Sequence, residues 1–155
     1  MKINIKKLLL SLLIGFLPGI IGSIFTFSKI TTWYSQINKP SFTPPNFIFG
    51  PVWTLLYLVL GVSLYLIWEK TKTLKNRVII LFFIQLVLNA LWSVLFFGVN
   101  YLLISYIEVL ILWVFIIINI FTFYKISKTA SLILLPYLIW ISFASFLNLY
   151  VLMLN

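Results

Sequence analysis

The chain has 155 residues, of which 63% are hydrophobic and 8% charged, and its mean hydropathy is +1.18. A soluble domain of this size could not bury so much apolar surface, because small domains keep a large surface-to-volume ratio. The sequence has no cysteine, no histidine and two acidic residues. Disulfides and most metal-binding and acid–base constellations are therefore excluded, and the composition predicts a membrane protein.

Five apolar segments follow one another along the chain, over residues 8–27, 47–68, 78–97, 101–124 and 132–154. Each is close to the ~20 residues that a helix needs to cross a bilayer, and none shows the alternating polarity of a barrel strand. The first segment resembles a signal peptide, but its apolar run exceeds the usual ~7–15 residues and no A-x-A cleavage site follows. We expect an all-α membrane protein, a bundle of five transmembrane helices forming one domain over residues 1–155.

Basic residues collect on one side of this expected bundle, with nine on that side and two on the other. The nine are Lys2, Lys6, Lys7, Lys70, Lys72, Lys75, Arg77, Lys125 and Lys128, and the two are Lys29 and Lys39. Positively charged loops stay in the cytoplasm, so the N-terminus is expected inside and the C-terminus outside. This distribution accounts for the net charge of +9, and no nucleic-acid partner is expected. The expected location is the cell membrane, with the lipid bilayer as the surrounding partner.

The first loop, residues 28–46, is stiff and aromatic. Pro40, Pro44 and Pro45 fix the backbone and favour extended geometry before each proline. Its apolar surface comes from Trp33, Tyr34, Phe42 and Phe47. An interfacial aromatic belt would also place Trp and Tyr at headgroup depth. Three prolines favour instead a lid across the outer helix ends.

Polar and aromatic residues share helix faces beneath this loop, at spacings of three and four. They are Trp53 and Tyr57 on the second helix, Asn89 and Trp92 on the third, Glu108 on the fourth, and Trp140, Ala144 and Asn148 on the fifth. A charged group inside a bilayer costs about 3 kcal/mol or more, so Glu108 should face the interior with a partner, as a helix clamp or a ligand contact. Aromatic and small residues together suit a large, flat, apolar ligand.

The first helix carries Gly15, Gly19 and Gly22, with Pro18 between them. Small residues allow close helix approach, either within the bundle or between protomers. Pro18 removes one backbone donor and should bend this helix.

The run WYSQINKPSFTPPNFIFGPVWTLLY resembles the signature of the translocator protein family, the tryptophan-rich sensory proteins (TspO). The resemblance continues in QLVLNALWSVLFFG, in IEVLILW and in PYLIWISFASFLN, so that it covers nearly the whole chain. It implies a five-helix bundle, often a homodimer, that binds porphyrins and in some members sterols or benzodiazepine-type drugs.

Carried over by position, the resemblance implies ligand contacts at Trp33, Trp53, Trp140 and Ala144, with Asn89, Trp92 and Asn148 on the inner surface. Phe42 stands where the family commonly has Trp. The tail has Leu149 and Met153 where sterol-binding relatives carry Tyr and Arg, which argues against cholesterol as the ligand.

The sequence leaves three functions open. The leading hypothesis is a protein that binds a porphyrin-like small molecule for sensing, transport or sequestration, without a cofactor or a metal. Porphyrin breakdown, with Trp53 and Trp140 as the reactive groups, is an alternative that the lack of a conventional catalytic apparatus disfavours. The third is a dimeric small-molecule transporter.

Overall fold

The computed structural model describes residues 3–74 and 76–155. Lys2 and Lys75, which count toward the predicted orientation, lie outside the described residues. Within them the regular elements, in chain order, are α1 Ile5–Ile30, α2 Trp33–Gln36, α3 Asn46–Thr71, α4 Arg77–Ser93 with a π-helical turn Val94–Gly98, α5 Leu102–Tyr124, α6 Lys128–Leu132 and α7 Leu135–Leu154.

Five of the described stretches are long and apolar enough to cross a membrane: Ile5–Ile30, Asn46–Thr71, Arg77–Gly98, Leu102–Tyr124 and Lys128–Leu154. The predicted all-helical, five-span architecture is confirmed. Several helices extend beyond the apolar segments because polar side chains cap their first turns. Asn4 Oδ1 accepts a hydrogen bond from Lys7 N at 3.1 Å, and Asn76 Oδ1 accepts one from Val78 N at 3.0 Å. A hydropathy profile does not detect helical turns that are polar and capped in this way.

The helices are arranged so that α1 packs on α3 and α4, α4 packs on α5, and α5 packs on α7. By contrast, α3 makes little direct contact with α4 or α7. Buried polar side chains connect the packed helices, as expected for amides in membranes. Asn119 on α5 donates to Gln85 Oε1 on α4 at 2.8 Å, with both residues fully buried. The core is therefore continuous through α4, α5 and α7 and includes α3 from Leu56 to Ile67, while the end of α3 next to the first loop stands apart from it.

The glycines of α1 allow close approach within the bundle, which decides between the two roles that the sequence left open for them. A Cβ added to Gly15 would lie 2.6 Å from the backbone nitrogen of Gly61 on α3. A Cβ added to Gly61 would lie 2.7 Å from the Cα of Leu12. Gly19 lies against the ring of Tyr57 in the same helix pair. The two backbones thus touch where neither has a side chain.

A polar cluster joins α1 to α3 at the end away from the first loop. Lys7 Nζ lies 2.8 Å from Glu69 Oε1 and 5.4 Å from the ring centroid of Trp68. The Tyr65 hydroxyl accepts a hydrogen bond from the Asn4 backbone at 3.1 Å. Together with the glycine contact, this cluster fixes one half of the helix pair.

We expect Gly61→Ala to lower the stability of the protein. The new methyl group would overlap the α1 backbone, which cannot move aside as a side chain can, and such overpacking costs about 1–3 kcal/mol. Gly50→Ala is the matched control, because a Cβ there meets no atom within 4 Å. Alanine at that helical position should be neutral or stabilising by up to ~1 kcal/mol. Thermal unfolding in detergent measures both, and equal midpoints for Gly61→Ala and the parent protein would contradict the prediction.

Candidate functional site

A cavity of about 570 Å³ lies in the half of the bundle next to the first loop, bordered by α1, α2, α3, α4 and α7. Its volume falls in the range of about 300–1,000 Å³ typical of small-molecule sites. Seven of the eleven predicted ligand-binding residues line it: Tyr34, Trp53, Tyr57, Trp92, Trp140, Ala144 and Asn148. The structure therefore brings together most of the aromatic residues that the sequence placed beneath the loop.

Aromatic stacking shapes the α3 wall of the cavity. The rings of Trp53 and Tyr57 are stacked, with centroids 5.4 Å apart and planes inclined by 24°. The Tyr57 hydroxyl donates to Asn89 Oδ1 at 3.4 Å, and Asn89 Nδ2 donates to the Tyr137 hydroxyl at 2.7 Å. Asn89 is thereby a clamp between α3, α4 and α7. It borders an adjoining void of about 10 Å³, close to the space for one water molecule, rather than the large cavity.

The α4 wall contains residues that sequence reasoning missed. Phe96 and Phe97 lie in the π-helical turn and line the cavity beside Trp92. Trp92 and Phe96 stack at 5.1 Å with planes inclined by 15°, and Phe96 meets Phe97 edge-on at 4.9 Å. Phe96 continues the spacing of three and four through Asn89 and Trp92, and the π turn shifts the register so that the neighbouring Phe97 also lies at the wall. The FF pair before Gly98 was the available signal.

Three polar groups of cavity-lining residues are buried without a hydrogen-bond partner among the described residues. They are Trp92 Nε1, Trp140 Nε1 and the side-chain amide of Asn148. Leaving such a group unpaired costs about 1–3 kcal/mol. These atoms are shielded from the open space of the cavity as well as from solvent, so a ligand in the cavity does not meet them without side-chain movement. The cavity as it stands offers aromatic faces on which a flat ring system can stack.

Glu108 is buried, with 4% of its surface exposed, as expected for a carboxyl group inside a membrane. The predicted hydrogen-bond partner is not found, since neither carboxyl oxygen has one within the described part of the chain. The expectation of a clamp through this residue is therefore wrong. Glu108 also does not line the 570 Å³ cavity.

The first loop is shorter and more helical than expected, because α1 continues to Ile30 and α2 occupies Trp33–Gln36. Trp33 packs edge-on against Phe96 at 5.4 Å and lies behind the cavity wall rather than along it. Phe42 also lies outside the cavity, stacked on Phe146 at 5.7 Å and edge-on to Tyr150 at 5.2 Å. Of the aromatic residues predicted for the loop, Tyr34 lines the cavity, and so does Phe47, which lies in the first turn of α3.

Hydrogen bonds hold the loop to itself and to the end of α7. Lys39 Nζ donates to the carbonyls of Tyr34 at 2.6 Å and Ile37 at 3.0 Å, and lies 4.8 Å from the Tyr34 ring centroid. Burial raises the pKa of Tyr34, so the phenol stays neutral beside this ammonium group. Asn38 N donates to Asn155 Oδ1 and Asn155 Nδ2 donates to Asn38 O, both at 2.9 Å. The loop is thus tied to the last residue of the chain.

Five apolar spans around an aromatic cavity, with a loop tied across one end, define an integral, multi-pass membrane protein. The model of the TspO/MBR family matches residues 8–154, and the chain belongs to this family. It is 48% identical to the tryptophan-rich protein TspO of Archaeoglobus fulgidus, over 98% of this chain and 99% of that protein.

The chain is also similar to proteins that carry other names. The chain is 31% identical to the human translocator protein, over 83% of this chain and 78% of that protein. It is 28% identical to the tryptophan-rich sensory protein of Cereibacter sphaeroides, over 89% and 84% of the two chains. Bacterial relatives of this kind support the cell membrane as its location.

We expect Asn155→Ala to loosen the first loop. The substitution removes both hydrogen bonds that join Asn155 to the Asn38 backbone, and backbone groups that lose such partners open more often. Hydrogen–deuterium exchange of residues 37–44 should become at least tenfold faster. Met153→Ala is the control, because Met153 is 72% exposed near the same helix end. Equal exchange in the two variants would show that the loop is held by other contacts.

Proposed function

We propose that the protein binds porphyrin-like planar apolar molecules in the 570 Å³ cavity, for sensing, transport or sequestration. The supporting observation is the aromatic lining of the cavity, which includes the rings of Trp53, Tyr57, Trp92 and Trp140. Rings of this kind stack on the face of a planar ligand, each pair contributing about 0.5–1.5 kcal/mol beyond its buried area. Cavity volume and wall chemistry both favour a flat, polycyclic ligand.

The charge of the lining supports the same ligand class. Among the described residues, no lysine, arginine, aspartate or glutamate lines the cavity. A charged centre inside the cavity would therefore lack a counter-ion, so the uncharged ring system of a porphyrin suits the lining, whereas its carboxylates would have to lie at the opening of the cavity or outside. The relatives named as sensory and translocator proteins support a function based on binding a small molecule.

The proposal places the N-terminus in the cytoplasm and the loop end of the bundle outside, following the distribution of basic residues. We also propose that each chain forms one functional domain and that two chains form a homodimer. Because Gly15 and Gly19 are already used against α3, the dimer must form through another, lipid-facing surface. α5 offers such a surface, with Leu103, Ile107 and Ile111 exposed along one side.

We expect protoporphyrin IX to quench the tryptophan fluorescence of the purified protein saturably, with about one ligand per chain. Trp53→Ala and Trp140→Ala should each weaken binding about tenfold, because each removes a ring that stacks on the ligand and leaves a void. Trp113→Ala is the matched control. Its indole donates to Ser142 Oγ at 2.8 Å and does not line the cavity.

Unchanged affinity in both cavity variants would reject this site. The same samples separate binding from breakdown, because porphyrin absorbance stays constant over hours if the protein only binds. A decay that requires intact protein and stops in Trp53→Phe or Trp140→Phe would instead establish an enzyme.

A further inference from the structure

The surface exposure of the cavity lining is confined to two helices. Six lining residues are exposed, namely Ile20, Phe27, Asn46, Phe47, Gly50 and Thr54, and all belong to α1 or α3. Phe27 and Phe47 are 76% and 77% exposed. The described lining residues of α2, α4 and α7 are buried or half-buried. The cavity therefore opens sideways, between α1 and α3.

The opening exists because α1 changes its neighbour along its length. At Gly15 and Gly19 it touches α3, but at Gly22 it faces α4, where an added Cβ would lie 2.7 Å from Ser93 Oγ. Further on, Phe25 packs against Gly98 of the π turn. The change follows Pro18, which interrupts the hydrogen bonding of α1. Gly50 lies on the part of α3 opposite this divergence, and a Cβ added there would meet no atom within 4 Å.

Unlike the side between α1 and α3, the end of the cavity next to the first loop is closed. Tyr34 is 7% exposed and Pro40 is buried. The hydrogen bonds between Asn38 and Asn155 hold the segment that follows against α7. Movement of a ligand through this end would require these contacts to break, whereas the gap between α1 and α3 is open as it stands.

We propose that the ligand of this cavity reaches it sideways out of the lipid, through a mouth formed by Ile20, Phe27, Asn46, Phe47, Gly50 and Thr54. This inference rests on the proposed function and narrows the ligand class to amphiphiles that dissolve in the membrane. Ile20, Gly50 and Thr54 lie inside the candidate spans Ile5–Ile30 and Asn46–Thr71, so this part of the mouth is expected to face acyl chains, whereas Phe27, Asn46 and Phe47 lie at the span ends next to the loop. A ligand confined to water would meet the tied loop instead.

The test compares variants of the full-length protein in lipid nanodiscs, with protoporphyrin IX as the probe and its own fluorescence as the signal. Gly50→Trp places an indole in the mouth, at a position where an added Cβ meets no atom within 4 Å. Leu55→Trp adds the same indole to α3 at a residue that is 57% exposed and outside the lining. The double variant Asn38→Cys/Asn155→Cys locks the loop by a disulfide, and reduction reverses it in a chain that otherwise has no cysteine.

We expect association and dissociation to slow at least tenfold together in Gly50→Trp, with the dissociation constant within twofold of the parent value. Leu55→Trp and the oxidised loop variant should keep parental rates. Unchanged rates in Gly50→Trp would overturn the proposal, as would slowing by the oxidised loop. Weaker affinity with an unchanged dissociation rate would show that the residue at position 50 touches the bound ligand, and this result would also contradict the proposal. Failure of the parent protein to bind the porphyrin would reject the proposed function itself.

Discussion

The backbone contact between α1 and α3 at Gly15 and Gly61 is the constraint on which the rest of the structure depends. Together with the Lys7–Glu69 ion pair, it fixes the two helices over the half of the bundle away from the loop. Beyond Gly19, α1 packs against α4, and α3 is left with few neighbours. The cavity is therefore the space that a helix pair leaves when it is packed along half of its length.

Sequence patterns predicted the parts of this arrangement that depend on a single helix. Hydropathy found the five spans, and spacings of three and four placed Trp53, Tyr57, Trp140 and Asn148 on inward faces. What they missed depends on two elements at once. Phe97 lies in the cavity wall through the π turn, although Phe96 keeps the spacing of Trp92, and the contribution of α1 to the lining follows from its divergence from α3. The positions of Phe97 and of the α1 residues do not follow from the periodicity of one segment.

Asn89 and Asn148 show why residue type alone does not assign a role. The sequence placed both on the inner surface, and both are 3% exposed. Asn89 is committed to Tyr57 and Tyr137, so it holds three helices together. Asn148 belongs to a residue set that lines the cavity, and its shielded amide has no partner among the described residues. The difference arises from which residues face the two amides across the helix interface, and it separates an amide held in a hydrogen-bond network from one outside it.

A lateral mouth also explains why the walls are aromatic rather than aliphatic. Lipid tails are as apolar as a cavity of leucines, so a molecule that moves from bilayer to cavity gains almost nothing from the hydrophobic effect. Affinity must then come from interactions that acyl chains cannot offer. In the proposed complex, stacking on Trp53, Trp92 and Trp140 supplies such an interaction, because aromatic faces pair with a planar ring system and acyl chains do not.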